Sequence, residues 1–161
     1  MKIAIDVMGG DHAPEEIMKG SLQALEANPE LELLLVGSED AFRQYLPSGT
    51  KRVETIISGS VMAMDESVEN LRNKKDSSIY LATEAVADGK ADAIVSCGST
   101  AAQMAAAVLL LGRIKGVKRP AIVLPFPSLK GSKVMLDGGA NADADAANLV
   151  DFAILGNAYA K

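Results

Sequence analysis

The stretch Ile3–Ala4–Ile5–Asp6–Val7–Met8–Gly9–Gly10–Asp11–His12–Ala13–Pro14 decides how the rest of the chain is read. A short apolar run ends in an acid and two glycines, and Pro14 is followed by Glu15 and Glu16. Proline suits the first turn of a helix and carboxylates suit its positive end, so this reads as strand, glycine turn, helix. Ile17, Leu22 and Leu25 then fall near one helical face. The same order recurs downstream. Leu31 to Val36 is a second strand closed by Gly37, and Ser38 with Glu39 and Asp40 caps the next helix. Val53 to Ile57 is a third strand, and residues 58–76 are the least regular stretch. Ser77 and Ser78 open a helix through Val86, with Gly89 as its C-terminal cap. Ala93 to Ser96 reads as a buried-type strand, and Gly98–Ser99–Thr100 turns into an alanine-rich helix stopped by Gly112. Further strands are predicted over 120–125 and 132–136, then the turn Asp137–Gly138–Gly139–Ala140–Asn141 and a last helix from about Asp145. Apolar strands alternating with helices predict an α/β fold, a mostly parallel sheet in a three-layer α/β/α arrangement.

Composition narrows the class. The chain has 161 residues, 48% hydrophobic and 23% charged, which is globular and within single-domain size. There is no Trp and only three Phe and three Tyr, against 25 Ala, so close helix–sheet packing is expected in place of aromatic anchors. Cys97 is the single cysteine and His12 the single histidine, which excludes a disulfide within the chain, a cysteine-rich zinc site and a multi-histidine metal site. Lys2 leads into a run ending at Asp6, unlike a signal peptide, and the longest apolar run, Ala105 to Leu111, is too short to span a bilayer. The expectation is an intracellular soluble protein. The end of the chain reads as an element still in progress, which raises the expectation of a fragment.

The net charge of −5 argues against a general nucleic-acid binder. It is unevenly spread. Ala93 to Leu136 contains no Asp or Glu and carries Arg113, Lys115, Lys118, Arg119, Lys130 and Lys133, so this segment is +6 and the remainder −11. Such a block is either ordinary solvated surface or a local site for phosphate or an acidic partner. In a parallel α/β sheet ligands collect at the carboxyl ends of the strands, where three glycine turns fall: around Gly9–Gly10, around Gly98–Ser99–Thr100, and at Asp137 to Asn141. None is a P-loop or a GxGxxG fingerprint. Singly, each is an ordinary turn; three at equivalent ends favour a shared cleft, with backbone N–H groups and hydroxyls suited to phosphate. Lys74–Lys75–Asp76–Ser77–Ser78 places cations before another helix start. Cys97 reads as a small buried residue with no base nearby to activate it. Asp6 and Asp137 have few carboxylate neighbours, so no metal is expected.

At these turns the sequence resembles the phosphate acyltransferase family of bacterial phospholipid synthesis. The resemblance is carried by Ile5 to Pro14, Leu71–Arg72–Asn73–Lys74–Lys75–Asp76–Ser77–Ser78, Gly89–Lys90–Ala91–Asp92–Ala93, Leu111 to Gly116 with Arg119–Pro120–Ala121, Leu136 to Asn141 and Phe152–Ala153–Ile154–Leu155–Gly156. It runs in one order over the whole chain. It implies a fold like isocitrate and isopropylmalate dehydrogenases, transfer of a fatty acyl group from acyl carrier protein to inorganic phosphate, no cofactor, homodimers, and a cytoplasmic enzyme peripherally associated with the cell membrane. Family chains are about twice as long, so residues 1–161 correspond to the N-terminal half, with no internal boundary expected. The sequence departs from the family at Cys97–Gly98–Ser99–Thr100–Ala101, where Ala-Gly-Asn-Thr-Gly is usual, and at Gly138, where valine is usual.

Phosphate is itself a nucleophile, so the reaction needs positioning and oxyanion donors rather than a covalent enzyme intermediate. The catalytic candidates are Ser99, Asn141 and His12: a hydroxyl donor, an amide donor and a proton relay. Asp6, Gly9, Gly10, Asp11, Lys75, Ser77, Gly98, Thr100, Arg113 and Asp137 are the phosphate- or substrate-binding candidates. Arg113 or Lys75 would neutralise phosphate, Asp137 would orient its turn, and the basic segment would meet the acidic carrier protein. Two alternatives stand beside this reading: a short-chain phosphotransacylase using a coenzyme A thioester, and a non-catalytic phosphate-binding fragment.

Overall fold

The computed structural model describes residues 1–129, 131–139, 141 and 143–160. Lys130 of the basic stretch and Ala140 of the third glycine turn therefore lie outside the described residues. The chain forms two compact units, Met1–Gly112 and Arg113–Lys161.

The first unit is built on four parallel strands: β1 (Lys2–Asp6), β2 (Glu32–Gly37), β3 (Val53–Ile57) and β4 (Ala93–Ser96). Their order across the sheet is β3-β2-β1-β4. Helices α1 (Glu15–Ala27), α2 (Glu39–Tyr45), α3 (Ser78–Ala87) and α4 (Thr100–Ala106) follow the strands. Strand alternation sorts the side chains. Ile5, Leu33 and Leu35 pack with Met18 and Leu25 of α1 and Ala41 and Phe42 of α2. Ala4, Leu34 and Val36 pack on the other side with Ala82 and Ala85 of α3, and Ala91. Both faces are covered, as the continuous apolar strands predict. The alanine excess appears where α3 meets the sheet, since a methyl group lets a helix approach closely. A third cluster joins Met62 and Leu71 to Ile79 and Tyr80 of α3 and Ala102 and Ala106 of α4.

The helix ends follow local chemistry. Ser38 accepts from the Ala41 N–H at 3.2 Å at the start of α2. Gly89 (φ +72°) ends α3 in a left-handed turn, where the Gly89 N–H reaches Val86 O at 3.0 Å and the Lys90 N–H reaches Ala85 O at 2.8 Å. α4 continues as a π-helical turn over Ala107–Leu111 and stops at Gly112 (φ +78°). Within the irregular 58–76 stretch a 3-10 turn forms over Val68–Arg72.

Two expectations are corrected. β4 is an edge strand with Val95 49% exposed, because among the described residues it pairs with β1 alone. The strand expected over 120–125 lies instead at β5 (Leu124–Ser128) and pairs antiparallel with β6 (Gly131–Met135), Ser128 opposite Gly131. A two-residue connection can join only antiparallel neighbours. Pro125 and Pro127, two apart, remove N–H groups from one edge of β5 and leave the other edge to pair. The second unit closes with α5 (Ala146–Tyr159), where Asp145 and Asn148 form a reciprocal capping box. Among the described residues no helix is long and apolar enough to cross a membrane.

Candidate functional site

Strands β1, β2 and β3 run outward in one direction and β4 lies on the other side of β1, so the strand order reverses between β1 and β4. In open α/β sheets ligands commonly bind beyond the carboxyl ends of the strands at such a switch point. The loops leaving those ends here are the Gly9–Gly10 and Gly98–Ser99 turns.

Asp6 and Ser96 are register partners at the two strand ends. Asp6 is 2% exposed, and its Oδ2 accepts from Ser96 Oγ at 2.7 Å. Ser96 Oγ in turn accepts from the Gly98 N–H at 3.1 Å. The backbones of the two turns touch. A Cβ on Gly9 would overlap Asp6 Oδ2 and come within 2.9 Å of Ser96 Oγ, and one on Gly98 would meet Gly9 Cα at 3.1 Å. Gly10 has φ +120° and faces Cys97 O. These glycines are demanded first by turn-against-turn packing.

Each remaining candidate has a definite place. The Gly98 N–H is committed to Ser96. Ser99 Oγ caps α4 by accepting from the Ala102 N–H at 3.4 Å, which leaves its own proton free to donate. Asp11 and His12 after β1 and Thr100 after β4 are exposed. Cys97 is exposed, not buried, because it follows an edge strand. Ser77 sits at the N-cap position of α3 without a capping hydrogen bond from its side chain and is fully buried, whereas Lys75 is exposed and takes no ion pair among the described residues. Lys74 is spent internally: its ammonium reaches Glu66 Oε2 at 2.7 Å and Val61 O at 3.0 Å. The Lys74 hydrogen bond, with donation from the Ala63 N–H and Asn70, holds the Glu66 carboxyl below the usual carboxylate range.

Asp137, Asn141 and Arg113 belong to the second unit. Asp137 Oδ1 accepts from the Ile122 N–H at 2.9 Å and Oδ2 from the Asn141 N–H at 2.7 Å. Asn141 Nδ2 donates to Asp137 Oδ2 at 3.1 Å and to Pro120 O at 3.0 Å. The pair ties the 120–122 and 137–141 loop segments together, and the Asn141 amide donors are turned inward. Arg113 is exposed and donates to Lys118 O. Arg119 pairs with Asp143 at 3.1 Å and holds that carboxyl below its ordinary value. A Cβ on Gly138 would overlap Leu124 Cδ1, so glycine there leaves room for the leucine.

Reading the sequence took Ser96 and Asp76 only as members of their turns, with no role of their own, and missed Ser60. Ser60 Oγ donates to Asp76 Oδ1 at 2.7 Å, and the Gly59 N–H to Asp76 O at 3.0 Å, bracing the loop before α3. The only signal for Ser96 was its position at a strand end.

The fold defines a parallel α/β protein whose sheet has a topological switch point between β1 and β4. More particularly, the chain belongs to the family described as "Fatty acid synthesis protein", whose model matches residues 1–161. It is 51% identical over 164 aligned residues to the phosphate acyltransferase of Desulfitobacterium hafniense strain Y51, covering 100% of this chain and 49% of the relative. It is 49% identical to that of Heliobacterium modesticaldum, again covering 100% and 49%. The phosphate acyltransferase of Bacillus cytotoxicus is 43% identical, with the same coverage. The chain spans about half the length of these curated relatives.

Proposed function

We propose that this chain carries the phosphate-handling part of an enzyme that transfers a fatty acyl group from acyl carrier protein to inorganic phosphate, giving acyl phosphate for phospholipid synthesis. The observation that supports it is the junction at the switch point, where two glycine turns meet over the Asp6–Ser96 hydrogen bond. The family membership and the relatives' name supply the reaction class.

A phosphate oxygen attacks the thioester carbonyl, the carbonyl carbon becomes tetrahedral, and the carrier thiolate leaves. Charge moves onto the carbonyl oxygen, so fixed donors that need no reorganisation lower the barrier. In this reading the Ser99 hydroxyl is the donor to the developing charge and exposed Lys75 the cation that neutralises phosphate. Asp137 and Asn141 act as positioning residues for their own loop. Exposed Arg113, Lys115 and Lys118 suit an acidic carrier, whose encounter they would accelerate. A homodimer and peripheral contact with the inner face of the cell membrane belong to the same reading.

The test is acyl phosphate formation by the 161-residue chain, alone and mixed with the polypeptide matching the second half of the Desulfitobacterium relative. Acyl carrier protein and coenzyme A thioesters are offered in parallel. Acyl phosphate from the carrier thioester supports the proposal. Product from coenzyme A thioester alone replaces the donor, and no product in either mixture overturns the enzyme reading.

A further inference from the structure

One edge of β4 is bare. The Glu32 N–H donates to Met1 O and the Val7 N–H to Val36 O, so the odd-numbered residues of β1 bond to β2. The even-numbered ones, Ala4 and Asp6, are left to bond β4. The slanted bonds of a parallel pair run from such a residue to the two neighbours of its register partner. Ala4 is opposite Ile94 and Asp6 opposite Ser96. Ala93 and Val95 therefore turn their N–H and C=O groups toward β1, and Ile94 and Ser96 turn theirs away. Because β4 pairs with β1 alone among the described residues, the Ile94 and Ser96 N–H groups have no strand to bond.

The strand is bare on one face as well. Ile94 packs against the clusters formed with α3 and α4. Val95, opposite Ile5, lies on the other face. There the cluster made with α1 and α2 gathers Ile5 but no residue of β4, and Val95 is 49% exposed. Native sheets blunt a free edge with charges, prolines or bulges. The opposite edge strand, β3, carries Glu54, whereas β4 reads Ala93–Ile94–Val95–Ser96 with neither charge nor proline. Apolar strands of this kind belong inside a parallel sheet covered on both faces. β4 has the composition of an interior strand and the exposure of an edge.

We propose that the free edge of β4 seats a further strand supplied by the second half of the protein as it stands in the relatives, together with a helix that covers Val95. This chain covers 49% of the Desulfitobacterium relative, so about half of that protein is left to supply them. A second copy of this chain is the wrong occupant. Two β4 edges related by a two-fold axis would pair antiparallel, and each copy brings the same bare face, so Val95 would stay uncovered in both. A strand carried in an α/β unit brings its helix with it. Whichever way that strand runs, one of its ends lies beside Ser96. Residues of the second half then stand next to the Asp6–Ser96 hydrogen bond. Family membership carries this assignment, and the acyl-transfer reading is not needed for it.

The experiment is residue-resolved hydrogen exchange by NMR on the 161-residue chain in three forms: free, co-expressed with the polypeptide matching the second half of the Desulfitobacterium relative, and joined to it in one chain. In the free chain the Ile94 and Ser96 amides are expected to exchange fast and those of Ala93 and Val95 slowly. With the second half present, Ile94 and Ser96 are expected to slow by at least about 100-fold. Val95→Lys puts a charge on the docking face at a position already half exposed. It is expected to leave the circular dichroism of the free chain unchanged and to weaken the complex at least about 10-fold. Ile94 and Ser96 amides that stay fast in both second-half forms overturn the assignment, and so does a complex of undiminished affinity with Val95→Lys. Slow exchange at both amides in the free chain, with a dimer in sedimentation equilibrium, gives the edge to a second copy and overturns it too. Slowed exchange without acyl phosphate would sink the enzyme reading alone, and acyl phosphate with both amides still fast would sink this assignment alone.

Discussion

Ser96→Ala isolates the contact that closes the switch point. The hydroxyl donates to buried Asp6 Oδ2 at 2.7 Å and accepts from the Gly98 N–H at 3.1 Å. Because Asp6 Oδ1 has no partner among the described residues, the carboxylate depends on Ser96 for its side-chain hydrogen bonding. A hydrogen bond to a charged group contributes about 1.5–3 kcal/mol, and leaving the Gly98 N–H without its acceptor adds up to about 1 kcal/mol. The expected loss is about 2–3 kcal/mol. For a unit of this size each kcal/mol lowers Tm by about 4 °C, so a fall of about 8–12 °C should appear in thermal unfolding followed by far-UV circular dichroism. Asp6→Asn and the double variant complete a cycle in which the two losses should be strongly non-additive, by at least about 1.5 kcal/mol. A loss under about 0.5 kcal/mol with additive singles would refute the idea that Ser96 carries the buried carboxylate.

Gly9→Ala places a methyl group against Asp6 Oδ2, and overpacking of this kind costs about 1–3 kcal/mol, measurable by urea unfolding. Arg52 is the unforeseen anchor of the first unit: its guanidinium donates to Leu25 O at 2.7 Å, Asn28 O and Leu31 O at 2.8 Å, and Pro29 O at 3.1 Å. Arg52→Lys cannot span these acceptors, and it should lose about 1–3 kcal/mol in the same assay. Glu66 has a lowered folded pKa, so its contribution is present above its unfolded value and is lost as pH falls through the folded one. Hydrogen exchange over residues 61–74 should therefore accelerate between about pH 5 and pH 3, a change that Glu66→Gln removes; an unchanged profile in that variant would place the acid sensitivity elsewhere. Asn141→Ala should loosen the loop held by Asp137, seen as faster exchange at Ile122, with the exchange of the first unit unaltered.

Local chemistry made much of the fold legible. The apolar runs placed β1, β2 and β3, and the caps at Ser38 and Gly89 appeared as expected because a cap is decided within four residues. Where the argument needed neighbours distant in sequence it failed. β4 reads as a buried strand because its composition is apolar, yet burial depends on which strands lie beside it. The strand near residue 120 moved because hairpin pairing with β6 outweighed its own apolar run.

The candidate site divides the same way. Glycine turns at strand ends could be read directly, since few other residues permit such close backbone approach. Ser96 could not, because its partner Asp6 is 90 residues away and only the parallel register of β1 and β4 brings them together. Asn141 has an amide that sequence reasoning aims at a ligand, while tertiary contacts turn it toward Pro120 and Asp137. The sequence by itself determined the elements, the turns and the positions of polar groups along the chain. The tertiary structure decided which of those groups are spent on one another and which, such as Asp6 Oδ1 and Ser77 Oγ, are buried without a hydrogen-bond partner among the described residues. Hydrogen-bond satisfaction is a property of neighbours in space, and a linear sequence does not specify them.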